Sequence, residues 1–249
     1  MRLYCLLICI ALLTGCAAPL GAPGAPSEPP SEEVQPPKPP LEPIQPPEAP
    51  AKPERLPEPE PVPTPPPEEF VRVQDWLPDI QVDLRYASED NFTGCVIYDF
   101  TDAWLRFGTI QKLSAVLERL EAEGYTLLIW DAFRPVEAQF RLWEVCPDAA
   151  YVANPNRGFS SHSRGNTVDL TLVSLDGEAV EMPSSFDEFS HLADRDYSDV
   201  SQAAAENARL LENAMTACGF RPYAGEWWHY SDEDSYPVDE IFSPAAQED

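Results

Sequence analysis

Twenty-one of the chain's 29 prolines fall between residues 17 and 69, and this crowding limits what can fold more than any other feature. Proline fixes φ and donates no backbone N–H, and the stretch has almost no large apolar side chains to bury. It is predicted to stay unfolded and partly polyproline-II, as a tether. At about 3.1 Å per residue it reaches on the order of 100 Å. A spacer is the simpler reading, ahead of a docking site for a proline-binding partner. Folding is left to residues 70–249, which make one domain by length.

Ahead of the tether, Met1-Arg2 and an apolar run from Leu3 lead into Leu13-Thr14-Gly15-Cys16. A basic start, a short apolar core and small residues at the cut describe an export signal. The run is shorter than the roughly 20 residues that span a bilayer. Its end resembles a bacterial lipobox. That resemblance implies a signal peptide over residues 1–15 and a lipidated Cys16, which opens the tether of residues 16–69. The expected location is exported and membrane-anchored, on a periplasmic or extracellular face. Ala17 stands where an aspartate would retain such a protein at an inner membrane, which favours an outer membrane where the source has one.

Residues 70–249 carry 33 acidic against 12 basic side chains. A surface of that sign repels nucleic-acid backbones and offers no basic patch for anionic lipid. Cys95, Cys146 and Cys218 follow Cys16. Being three, they allow at most one disulfide within the chain, and their spacing fits no four-cysteine zinc knuckle.

Ile80, Val82, Leu84 and Tyr86 alternate with polar residues, as in a half-buried strand. Ile110, Leu113, Val116, Leu117 and Leu120 fall on one helical face, which Gly124 closes. Residues 125–130 read as an apolar strand. Pro135 suits the first position of a helix whose Phe140, Leu142, Trp143 and Val145 supply apolar cover. A strand over 167–173, a turn at 175–178, a helix over 201–218 and a strand with a tight turn over 220–230 complete the pattern. Short strands mixed irregularly with helices predict an α+β fold.

The domain has three histidines. His162 lies in the loop Ser160-Ser161-His162-Ser163-Arg164-Gly165, and Asp169 lies inside the strand that follows. A carboxylate in such a strand is costly unless it is paired or metal-bound. Each residue alone reads more simply as a locally bonded polar group. His229 belongs to Gly225-Glu226-Trp227-Trp228-His229-Tyr230. Trp227 and Trp228 are either a dry wall beside a site or an aromatic core strand. A regular strand would send Glu226 and His229 to opposite faces, so joint action requires a bulge or turn between them. His162, Asp169 and His229 together make a three-ligand set for zinc with a fourth position open. Glu226 is then placed to take a proton from water.

The patterns around His162 and His229 resemble those of VanX-type D-alanyl-D-alanine dipeptidases, within the zinc D,D-peptidase family that shares a fold with the hedgehog signalling domain. The resemblance runs through nearly all of residues 70–235. It includes Asp83-Leu84-Arg85-Tyr86-Ala87, Trp130-Asp131-Ala132-Phe133-Arg134-Pro135 and Met182-Pro183-Ser184-Ser185-Phe186-Asp187. It implies a small, mainly antiparallel sheet flanked by helices. It also implies one zinc ion per chain on His162, Asp169 and His229, with Glu226 as base and Arg134 steadying the oxyanion. Tyr86 and Asp187 match residues that hold the substrate's amino end, and Ser161 is a partner for its carboxylate end. His191 matches no metal role and reads as a surface or packing residue. Thr167 stands where the family usually has a smaller residue.

The implied substrate is a small D-dipeptide. An exported enzyme cannot destroy D-Ala-D-Ala before it enters a wall precursor, so trimming or recycling of peptides near peptidoglycan is expected. The alternatives are a D,D-carboxypeptidase or endopeptidase on the same zinc site, and a non-catalytic wall-binding lipoprotein. The latter would need neither Glu226 nor Arg134.

Overall fold

The computed structural model describes residues 63–248. The expectations for the export signal, for Cys16 and for tether residues 17–62 lie outside that range. In chain order the strands are β1 (Phe70–Arg72), β2 (Gln81–Val82), β3 (Trp104–Arg106), β4 (Tyr125–Asp131), β5 (Thr167–Ser174), β6 (Phe220–Tyr223) and β7 (Glu226–Asp232). The helices are α1 (Val73–Trp76), α2 (Phe107–Glu121), α3 (Val136–Val145) and α4 (Gln202–Ala217). β1 and β3 form an antiparallel ribbon. The other five make one sheet in the order β2-β4-β5-β7-β6, parallel only between β2 and β4. This is the expected α+β arrangement with a small, mainly antiparallel sheet.

Antiparallel register puts Leu127 beside Leu172 and Ile129 beside Leu170, all buried on one face. α2 and α4 pack against the sheet, and neither contributes a residue to the cavity on the Asp169 side. The apolar row is therefore the helix-covered face. The opposite face is covered too, because Thr167 through Val173 are all buried. A strand buried on both faces sits at the centre of a sheet, where a polar group needs a partner. Thr167 has one across the ladder, since its Oγ1 lies 2.9 Å from Ser231 Oγ.

α2 buries the predicted stripe, and Gly124 follows in the left-handed region. Ser201 caps α4 by accepting from Ala204 N at 3.0 Å. Three expectations need correction. Of the strand predicted over 80–86, only Gln81–Val82 pairs as strand, and residues 85–87 turn as a 3-10 helix. The ladder ends where Asp83 N donates to Ile129 O, just before β4 bulges. The alternation still reports burial, because Ile80, Leu84 and Tyr86 all point inward. Pro135 is the cap of α3 and Val136 its first residue. On that helix Phe140 and Val145 are exposed, while Ala138, Gln139 and Leu142 are buried. Gln139, turned inward, accepts from Arg134 Nη1 at 2.9 Å. Cys95, Cys146 and Cys218 are free.

Candidate active site

His162 is fixed by a tight turn. Ser160 Oγ accepts from His162 N, and Gly165 closes the 3-10 helix of residues 161–164 with φ 73°. A Cβ at Gly165 would lie 2.2 Å from Phe70 Cε1, so both backbone and packing require glycine there. The imidazole is buried, and its Nδ1 lies 2.9 Å from Ala132 O. With Nδ1–H donating to that carbonyl, Nε2 is left with a free lone pair on the Asp169 side.

Register supplies the next two groups. Asp131 on β4 is opposite Asp169 on β5, and Asp169 is opposite His229 on β7. A bulge at Trp130 puts Asp131 in this row, since Ile129 pairs with Leu170 and Asp131 with Asp169. Asp169 Oδ2 lies 3.4 Å from His162 Nε2, and Asp169 Oδ1 lies 2.9 Å from His229 Nδ1. Burial opposes ionisation of Asp169, but the two imidazoles outweigh it and hold the carboxyl well below the usual range. Despite those contacts, Asp169 Oδ1 is buried without a well-aligned hydrogen bond. A buried, charged oxygen whose neighbouring ring nitrogen is poorly aligned is well placed to meet a cation. One ligand atom from each of His162, Asp169 and His229 falls within 4.8 Å of the others. Two imidazoles, a carboxylate and an orphaned oxygen fit a zinc-type ion.

The expected irregularity between Glu226 and His229 is present. On the β6 side, Pro222 pairs with Tyr230 and Tyr223 with Glu226, so Trp227, Trp228 and His229 fall between consecutive partners. Glu226 Oε2 thereby comes to 3.5 Å from His229 Nδ1. Burial, reinforced by the Asp169 charge, raises the Glu226 carboxyl above its usual range. Trp227 and Trp228 are fully buried and do not line the cavity, so they are core rather than wall.

Arg134 lies on the other side of the row. Its Nε donates to Asp131 Oδ2 at 3.1 Å and to Tyr98 Oη at 3.3 Å, and its Nη1 to Gln139 Oε1 at 2.9 Å. Nη2 also pairs with Asp131. One N–H on each terminal nitrogen is left uncommitted. Asp131 is itself fully buried and accepts from Tyr98 Oη at 2.6 Å and Ala132 N at 2.9 Å. The guanidinium lies 5.1 Å from the Tyr86 ring centre. Tyr86 Oη donates to Asp187 Oδ2 at 2.7 Å. Asp187 is the only non-glycine residue among those described with positive φ, at 53°, in the left-handed region that aspartate enters more readily than most residues. Burial pushes its carboxyl up to about 8.

His162, Asp169, His229, Glu226, Arg134, Tyr86, Asp187 and Ser161 all line one cavity of about 340 Å³. A larger cavity of about 800 Å³ is lined in part by residues of the 182–188 segment and shares Asp187, but none of the other seven lines it. His191 is exposed, 3.6 Å from Asp199, and away from the site. Sequence reasoning gave no role to Asp131, Tyr98, Gln139 or Arg195. Gln139 did leave a signal, as a polar residue one turn before Leu142 on the inward side of α3.

A buried histidine–aspartate–histidine cluster with a carboxylate beside it, on an α+β scaffold, defines a metal-dependent hydrolase. The chain belongs to the Peptidase_M15 family, whose model, described as D-ala-D-ala dipeptidase, matches residues 67–247. It is 37% identical over 172 residues to the D-alanyl-D-alanine dipeptidase of Escherichia coli (strain K12), covering 68% of this chain and 89% of that one. It is 38% identical over 194 residues to the D-alanyl-D-alanine dipeptidase of Streptomyces coelicolor, covering 68% and 94%. A looser likeness, TM-score 0.36 at 16% identity, links 53% of the chain to 74% of the vancomycin-resistance D,D-pentapeptidase VanY in complex with Zn(II).

Proposed function

We propose that this chain is a zinc dipeptidase that hydrolyses D-alanyl-D-alanine, or a closely similar D-dipeptide, to free D-amino acids. The carrying observation is that a metal-ligand triad, a general base, an arginine and an acidic pocket end share one cavity sized for a small ligand. One zinc ion per chain, held by His162, Asp169 and His229, would supply a Lewis acid that polarises the scissile carbonyl and acidifies water.

The chain's own groups account for the rest. Glu226, with its raised pKa, takes a proton from the attacking water and hands it to the leaving amine. Arg134 meets the carbonyl oxygen as it gains charge, and its remaining bonds to Asp131 and Gln139 keep it aimed without reorganisation. Asp187 and Tyr86 receive the substrate's ammonium. An arriving cation returns Asp187 to its ionised form, against the burial that keeps it protonated when the pocket is empty. Ser161 faces the substrate carboxylate. The Tyr86–Asp187 pair favours a free amino end and hence a dipeptide, which a D,D-carboxypeptidase would not need.

The Leu13–Cys16 motif and the proline-rich stretch support an exported, lipid-anchored enzyme acting on D-peptides released near peptidoglycan. Turnover of a panel of D- and L-dipeptides and intact muropeptides, with and without chelator, tests the reading. Chelator-sensitive cleavage led by D-Ala-D-Ala is expected. Faster cleavage of muropeptides would move the assignment to a carboxypeptidase or endopeptidase, and no zinc-dependent turnover would reject it.

A further inference from the structure

We propose that Arg195 is a positioning residue for this reaction, clamping the backbone of the segment that carries both the base Glu226 and the metal ligand His229. The proposal rests on the roles given to those two residues above. Its physical origin is the break in the β6–β7 ladder. Where Trp227, Trp228 and His229 fall between consecutive β6 partners, β6 places no residue opposite them to donate to their carbonyls, and Glu226 stands at the edge of that gap. A buried carbonyl without a donor is costly.

Arg195 fills the gap. Its Nη2 donates to Glu226 O at 3.0 Å and to His229 O at 3.1 Å, and its Nε donates to Tyr223 O at 2.8 Å. The Tyr223 and Glu226 carbonyls border the irregularity and the His229 carbonyl lies within it. Nη1 bonds Glu212 Oε2 at 3.0 Å on α4, Tyr230 Oη at 3.1 Å and Tyr197 Oη at 3.3 Å. The guanidinium carbon lies 4.6 Å from the Tyr230 ring centre. Every N–H of the fork is thus committed. Because the fork is rigid and planar, its two Nη2 bonds fix the separation of the Glu226 and His229 carbonyls. Those carbonyls sit on the residues whose side chains must meet at one point in the cavity. Arg195 itself does not line that cavity, so it acts through the strand and touches no reacting atom. A lysine ammonium is a point donor on a flexible stem and holds the same geometry less well.

The test uses the zinc-loaded full chain, with Arg195→Met, Arg195→Lys and, as a stability control, Tyr197→Phe. The control removes a hydroxyl that donates to Glu212 and accepts from Arg195, but leaves the carbonyl clamp in place. Three quantities are read: kcat and KM on D-Ala-D-Ala, the rate of zinc loss to a chelator, and Tm. In Arg195→Met, kcat should fall about 10- to 100-fold with KM little changed, and zinc loss should quicken by a similar factor. Arg195→Lys should recover part of both. Tyr197→Phe should lower Tm while kcat and zinc loss stay at the wild-type level.

Wild-type kcat and zinc loss in a folded Arg195→Met protein would overturn the clamp. So would losses that track Tm alike in the Arg195 variants and Tyr197→Phe. If Arg195→Met does not fold, Arg195→Lys decides, and wild-type values there would be equally fatal. If the unmodified enzyme leaves D-Ala-D-Ala intact, the functional reading fails instead, and the zinc-loss comparison still decides the role of Arg195.

Discussion

Arg134 and Arg195 are both largely buried, their side chains 10% and 11% exposed, and each pairs with a carboxylate. They differ in what they address. Arg134 spends its bonds on the side chains of Asp131, Gln139 and Tyr98, and lines the cavity. Arg195 spends half of its contacts on main-chain carbonyls and stays out of the cavity. An arginine held by side chains presents its remaining charge to a ligand. One that holds main chain sets the shape of the strand beneath it. On the roles proposed above, one cation meets the substrate and the other keeps the strand beneath the site irregular.

Glu226 belongs to both spheres, because its side chain faces the cavity and its carbonyl accepts from Arg195. Glu226→Gln separates the two. It should cost about 10²- to 10⁴-fold in kcat while zinc content and Tm hold, and simultaneous loss of zinc would show that the two spheres are not separable. Asp131→Asn removes the carboxylate beneath Arg134 and leaves that cation buried without its countercharge. Breaking such a pair should destabilise by about 3–5 kcal/mol in denaturant unfolding. A loss under about 1 kcal/mol, typical of exposed pairs, would mean that the buried arginine finds other support.

Arg134→Lys should lower kcat by about 10²- to 10³-fold, since a point charge reproduces neither the fork nor its aim. Zinc loss to chelator should be unaltered, and quickened loss would erase the contrast with Arg195. The effect that is smallest per pH unit concerns Asp187 in the zinc-free protein. Its folded pKa, about 8, is above the unfolded value near 4, so between those values the native state holds a proton that the unfolded chain has released. Stability should therefore fall as pH rises through that window, by at most about 1.4 kcal/mol per pH unit from this group. Asp187→Asn should flatten that slope in Tm measured against pH. An unchanged slope would place the titration elsewhere.

The same contrast explains how much was legible in the sequence. The eight residues that meet in the cavity carry their chemistry in their side chains, and their order along the chain could be read as motifs. The bulge between Glu226 and His229 was also predictable, because alternation alone sends the two side chains apart. Arg195 left no such trace. In Asp194-Arg195-Asp196-Tyr197 it is a lone cation among acids, and its partners are carbonyls, which every residue has. Asp131 lies within the Trp130–Pro135 motif, but its place opposite Asp169 depends on a one-residue bulge at Trp130 that periodicity does not encode. Phe140 is exposed because the inward face of α3 carries Ala138, Gln139 and Leu142, and the Gln139 on that face bonds Arg134.

The aromatic ring that makes Gly165 obligatory belongs to Phe70, in the first strand after the proline-rich stretch. That ring also stacks on Phe242 and lies 3.8 Å from the Arg106 guanidinium carbon, while the Glu69 and Pro67 carbonyls accept from Phe107 N and Gly108 N. The leading edge of the domain is thus the outer brace of the histidine turn, not a dispensable lead-in. Anyone grafting this domain onto another carrier should splice upstream of Pro66. A junction cut after Arg72 would delete the ring that packs against the histidine turn from more than ninety positions away.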